Sequence, residues 1–358
     1  MTARIRLIVL LARPAVIVLL AMFTATGLAQ AGHAGAVVPL VEALAAVAGF
    51  LLFSVACNDI ADEEIDRVNL PGERPLATGM LTRREFAITG VCAGAVALAA
   101  GVLLGWLAVL VTSAGLCVSA AYSLRPIRLA ARGAVASLVL PACYVAVPYL
   151  LGVLAGTRGV LNAIRPDTLL LMAGLYLGFI GRILLKDFRD VRGDALFGKR
   201  TFLVRHGRRA TCLFSACAWA TGTGVILAST HRLTAALAIA EAACAAGALA
   251  LLCALSRDRG ARRDEALIAS IAIVGRGMVL LLLAHLSMMD AHWDTARYNA
   301  VIAALAVLTA GPAWSMVRHG PVSRLTVPAG RVSEAAPPDD ARADAGKGPV
   351  ATAQHLPS

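Results

Sequence analysis

Apolar residues in this chain come in long uninterrupted runs, and the runs nearly exhaust it. Ten can be drawn, at 7–29, 36–57, 86–104, 106–124, 134–155, 167–185, 211–230, 233–255, 265–289 and 298–317. A bilayer-spanning helix needs about 20 mostly apolar residues, so each run has roughly the length of one crossing. Backbone groups in lipid must be bonded inside the segment or inside a closed barrel. Barrel strands are about ten residues long and alternate in polarity, which these runs do not. The expected fold class is therefore all-α, a polytopic membrane helix bundle. Only 15% of residues are charged and the mean hydropathy is +0.75, against about 25% charged in soluble domains. The eight cysteines fall in or at the end of apolar runs and form no CxxC pair, so they read as small packing residues. The first run carries Arg13-Pro14 in its interior and is too long for a secretory signal, so it reads as a retained helix.

The net charge of +11 is an orientation signal rather than a nucleic-acid footprint. With the N-terminus in the cytoplasm and ten alternating crossings, 26 of the 33 Lys and Arg fall on the cytoplasmic side and four on the other. The positive-inside rule needs far less bias than that. The chain is thus expected to be a multi-pass protein of the cell membrane with no nucleic-acid partner. Its N-terminus and the loops 58–84 and 186–210 are expected in the cytoplasm. Residues 1–320 form the expected membrane domain. The tail 321–358, rich in Pro, Ala, Gly, Asp and Arg, reads as a disordered cytoplasmic segment.

This topology puts two acidic clusters on one side. CNDIADEEID, residues 57–66, follows the second run, and KDFRDVRGD, residues 186–194, follows the sixth. Asp59, Asp62 and Asp66 are spaced i, i+3, i+7, and Asp187, Asp190 and Asp194 repeat the spacing. At about 100° per residue such positions share one helical stripe. Carboxylates on one stripe repel one another, and desolvation at a membrane interface adds to the cost. Acids that merely cap helix ends or pair with loop arginines account for one cluster, not for two alike. Paired clusters suit a hard divalent cation such as Mg²⁺, which bridges carboxylates to phosphate oxygens. Arg74, Arg125, Arg128, Lys186, Lys199 and Arg200 supply positive charge in the same loops. Arg182 lies inside the sixth run one turn before Lys186, and an arginine there is either functional or snorkelling.

NDIADEEIDRVNLPGERPLATG resembles the first aspartate motif of the UbiA-type intramembrane prenyltransferases, and KDFRDVRGDALFGKRT resembles their second. Arg13-Pro14 and the stretch YSLRPIRL, residues 122–129, are similar to further family features. The resemblance implies nine helices around a central cavity open to lipid. With the ten runs above, the expectation is about nine or ten transmembrane helices, the run at 298–317 being an added one. It also implies Mg²⁺-dependent transfer of an isoprenoid chain from its diphosphate to an acceptor, often aromatic. In that reading Asp59, Asp62, Asp187 and Asp190 hold metal, and Asn58, Asp66 and Asp194 complete the clusters. Lys186, Arg74 and Arg128 clamp the diphosphate, with Arg125 competing for the role of Arg128. Tyr122 lines the cavity mouth or belongs to an aromatic belt. A terpene cyclase on the same scaffold is the alternative. An ion-coupled transporter is disfavoured because such sites lie near the midplane on broken helices.

Overall fold

The computed structural model describes residues 11, 13–69, 74–158, 160, 164–188, 201–257 and 260–320. Asp190, Asp194, Lys199, Arg200 and the tail 321–358 lie outside the described residues. Among the described residues there is no strand. The helices are α1 (Pro14–Gln30), α2 (Val37–Ala61), the short α3 (Glu63–Asn69), α4 (Arg83–Leu104), α5 (Trp106–Ser123), α6 (Ala134–Thr157), α7 (Pro166–Ile183), α8 (Phe202–Ser229), α9 (Ala235–Leu255), α10 (Ala261–Asp290) and α11 (Thr295–His319). Nine of these are long and apolar enough to cross a membrane, and α1 is a shorter apolar helix beside them. The chain is a multi-pass membrane protein. Its outward surface carries the side chains that lipid tolerates, among them Val41, Val91, Val102, Leu110, Leu213, Ile239, Val307 and Leu308.

Local chemistry sets the helix ends. Thr82 and Glu85 form a reciprocal capping box that starts α4 three residues before its apolar run. Gly105, at φ 108, separates α4 from α5, so 86–104 and 106–124 are two helices as expected. Thr234 and Asp294 cap α9 and α11 through the backbone N–H groups of Leu237 and Arg297. Helix α6 is not regular. Residues Ala142–Ala146 form a π segment between Pro141 and Pro148, whose rings cannot sit in an unbroken ladder. Helix α8 turns at Gly207, with φ 76, so its long straight part begins after that residue.

Two crossings position the functional end. A methyl group at Gly27 of α1 would run into the Tyr149 carbonyl oxygen of α6, and one at Gly152 of α6 into that of Thr24. The two backbones therefore touch, the close approach that small residues allow in membrane bundles. Helix α7 is held to α8 by Gly181, whose carbonyl accepts a 2.6 Å bond from Ser215 Oγ. Apolar layers fill the remainder. Phe50, Val47 and Leu104 pack among α2, α4 and α5, and Tyr149, Leu171 and Leu282 pack among α6, α7 and α10. Between α1, α7, α8, α9 and α10 lies a largely apolar cavity.

Candidate active site

The chain brings the N-terminal end of α1, the C-terminal end of α2, α3, the turn before α4, the segment after α5 and the end of α7 to one end of the bundle. Asp59 occupies the last turn of α2 and is 1% exposed. Asp62 follows at the helix C-cap, with φ −109, and Asp66 lies in α3. The expected single helical stripe is therefore broken. The backbone bonds Asp62 N–H to Asn58 O and Asp66 N–H to Asp62 O persist at 2.9 and 2.8 Å, but the helix bends at Asp62. All three carboxylates stay buried, Asp62 at 8% and Asp66 at 7% exposure.

Arginines hold each acid. Arg13 Nη2 donates to Asp59 Oδ1 at 2.5 Å, and Arg74 Nη1 stands 3.8 Å from the same oxygen. Arg74 Nε is 3.4 Å from Asp66 Oδ2. Arg128 Nη2 donates to Asp62 Oδ1 at 2.9 Å. Of the two arginines competing for the clamp role, Arg128 is the one that reaches Asp62. Arg125 instead lines a polar recess with Glu63, Glu64, Arg67 and Arg83, on the other face of α3. Arg13 and Arg128 both adopt left-handed backbone, at φ 42 and 40, which costs of order 1–3 kcal/mol for a residue with a side chain. Arg158, Arg232 and His292 adopt the same backbone region elsewhere in the chain.

Burial pushes the Asp66 carboxyl up to about 6; Arg74 pulls against it, while Asp59 and Asp62 push the same way as burial. The ion pairs do not exhaust the acids. Asp59 Oδ2 and Asp66 Oδ2 are buried without a hydrogen-bond partner, and buried polar atoms left so call for an explanation. Hard carboxylate oxygens in this condition fit Mg²⁺. Among the described residues no three acidic, His or Cys side chains draw together as a complete metal cluster. Two of the six motif aspartates, Asp190 and Asp194, are not among them.

The second motif contributes Lys186 and Asp187 just past α7, with Asp187 at 6% exposure. They line a recess with Tyr122, Ser137, Ile183 and Thr201. Tyr122 is buried there, so it is a recess residue and not part of an aromatic belt. Asn58 is half-buried on the turn of Asp59. Arg182 turns into the apolar cavity, its guanidinium 5.6 Å from the centre of the Phe179 ring. Two residues escaped the choice of site residues from sequence. Arg13 is the N-cap of α1 and not interior to it; the signal was an arginine before proline at an apolar run. Glu241, in α9, lines the same cavity as Arg182; a lone acid within an apolar run was the signal.

The profile of the UbiA prenyltransferase family matches residues 18–274. The chain belongs to that family. Over 183 residues it is 34% identical to the digeranylgeranylglyceryl phosphate synthase of Methanoculleus marisnigri, covering 48% of this chain and 57% of the relative. It is 31% identical over 173 residues to the bacteriochlorophyll synthase 33 kDa chain of Cereibacter sphaeroides, covering 47% and 55%. The chain thus spans about half the length of the curated relatives it matches. A solved structure described as that of digeranylgeranylglyceryl phosphate synthase has a TM-score of 0.61 at 16% identity, over 80% of this chain and 99% of the other. A UbiA homologue from Aeropyrum pernix has a TM-score of 0.55 at 19% identity, over 82% and 97%. These likenesses show the helical membrane fold. Helix α11 lies beyond the part of this UbiA-family chain that the profile covers, as does Arg13 at its other edge.

Proposed function

We propose that this protein transfers an isoprenoid chain from a prenyl diphosphate to an acceptor, an aromatic one in the reading we favour, inside the bilayer and with Mg²⁺ as cofactor. One observation carries the reading: buried carboxylates with unsatisfied oxygens stand among arginines at the end of an apolar bundle that also carries Lys186 and Asp187. A prenyl diphosphate has the matching halves, a highly charged head and an apolar tail. Family membership supports the transfer. The relatives are named for two different products, so neither name carries an acceptor over to this chain.

Each residue has a part in this reading. Asp59, Asp62 and Asp66, together with Asp187, Asp190 and Asp194, would hold Mg²⁺, with Asn58 completing the first cluster. The bound metal neutralises charge on the diphosphate. Arg13, Arg74, Arg128 and Lys186 take the diphosphate oxygens as the allylic C–O bond breaks and the electron pair leaves with the diphosphate. Lys199 and Arg200 add positive charge in the same loop. The apolar cavity, with Arg182 at its edge, keeps water from the allyl cation. Tyr122 borders the recess where an acceptor attacks and then loses its proton. The lysine and arginine bias supports a cytoplasmic position for this end, with residues 1–320 as the transferase domain.

The test is an assay of purified membranes with radiolabelled prenyl diphosphates of several lengths and a panel of phenolic acids. Label should move to one acceptor in Mg²⁺, stop in EDTA, and return with Mg²⁺ or Mn²⁺. Full turnover in EDTA sinks the metal-dependent reading.

A further inference from the structure

The apolar cavity ends on an acid that transfer chemistry leaves without work. Glu241 is 1% exposed, and neither of its carboxyl oxygens has a hydrogen-bond partner. Among the described residues no Lys, Arg or His pairs with it. It lines the cavity with Trp219, Thr223, Ile226, Met278 and Leu282.

Its position along the bundle is fixed by helix direction. Helix α8 starts beside Thr201, in the recess of Asp187, and runs to Ser229 at the opposite end. Helix α9 returns from there, beginning at Ala235. Glu241 is six residues along it, about 9 Å from that far end at 1.5 Å per residue. Arg182, on the last turn of α7, belongs to the aspartate end. The wall between these two polar groups is almost wholly hydrocarbon.

A buried carboxyl without a partner is costly, and leucine at this place would be cheaper. The hydrocarbon tail of an isoprenoid has no proton to offer it. A pocket of this kind binds apolar ligands and uses its few polar groups to orient them. We infer that the cavity binds an elongated apolar molecule carrying a hydroxyl or amine group, and that Glu241 accepts the hydrogen bond from that group. This goes beyond the reaction at the aspartates, which needs no acid at the far end.

Trp219 lies in the cavity wall, whereas Trp106, Trp293 and Trp314 are exposed. Replacing those three by Phe leaves one fluorophore that reports occupancy. The full chain, in lipid nanodiscs without metal or diphosphate, is titrated with ω-bromododecanol, ω-bromododecylamine and bromododecane, whose bromine quenches tryptophan on contact. The alcohol and amine should quench at roughly tenfold lower membrane concentration than the hydrocarbon, the effect of one buried hydrogen bond. Glu241→Leu should make the three probes equal. Glu241→Gln should keep the preference for the alcohol and lose any advantage of the amine over it. Equal quenching by all three in the parent protein overturns the inference, because water then satisfies the acid. So does a preference for the alcohol or the amine over bromododecane that survives in Glu241→Leu. Since no turnover is measured, the outcome is independent of the transferase reading.

Discussion

The two ends of the bundle both bury polar groups, and they treat them in opposite ways. At the far end a chain of donors and acceptors closes on itself. Thr234 Oγ1 accepts from Leu237 N–H, Tyr298 hydroxyl lies 2.7 Å from Thr234 and 2.8 Å from His285 Nδ1, and His285 Nε2 lies 3.2 Å from the His231 carbonyl. That carbonyl can only accept, so Nε2 carries a proton, and in the neutral ring Nδ1 accepts from Tyr298. Every member is bonded. At the aspartate end the acids have arginine partners and yet keep oxygens without a hydrogen bond. A completed network stabilises the fold, whereas an incomplete one is held ready for something that binds. Substitutions should therefore separate activity from stability in opposite senses at the two ends.

The largest effect expected is at the aspartates. Asp59→Ala and Asp187→Ala should each lower prenyl transfer by roughly a thousandfold or more, and the double variant should be little worse, because groups acting as a unit are not additive. Thermal unfolding should change far less, because for Asp59 the lost pairing with Arg13 is offset by relief of its repulsion with Asp66. Near-normal transfer by Asp187→Ala with a dead Asp59→Ala would divide the site in two. Next is Arg13→Ala, for which roughly a hundredfold loss in kcat/KM for the prenyl diphosphate is expected from removing one clamp. An unchanged kcat/KM would reduce Arg13 to a partner of Asp59. Tyr298→Phe should show the reverse pattern. It leaves His285 and Thr234 short of a partner, at about 1–3 kcal/mol of stability, while transfer at permissive temperature stays within about twofold of the parent, the modest change expected away from the chemistry. Smallest is Glu63→Ala. Glu63 pairs with Arg67 and Arg83 on the outer face of α3, and such exposed pairs contribute about 0–1 kcal/mol. Transfer assays and unfolding curves on these variants would break the contrast if the Tyr298 and Asp59 variants behaved alike.

Much of this arrangement is local and so can be read along the chain. Apolar length predicts the helices, Gly105 marks a true break, and alternation of crossings brings Asp59 and Asp187 to one end. What escapes is set by contacts between distant segments. Arg13 and Asp59 are 46 residues apart, and Arg128 and Asp62 are 66 apart. No spacing rule chooses Arg128 over Arg125, because the choice depends on the left-handed turn at Arg128 and on where α5 stands relative to α2. The bend at Asp62 also escapes, since apolar periodicity has already ended there. Glu241 is visible as a letter in a greasy run, but only packing reveals that no basic group comes to meet it.

The backbone contacts of Gly27 with Tyr149 and of Gly152 with Thr24 give α1 the mechanics of a lever. The fulcrum is backbone against backbone, with no side chain to yield. Arg13 is fourteen residues away, about 21 Å along the helix axis. A tilt of a few degrees at the fulcrum swings the guanidinium by about an ångström, enough to stretch its 2.5 Å bond to Asp59 out of hydrogen-bonding range. The precision of the charged end is thus set in part at a hydrocarbon crossing that touches neither substrate nor metal, and variation at those two glycines should be read as a change to the active site.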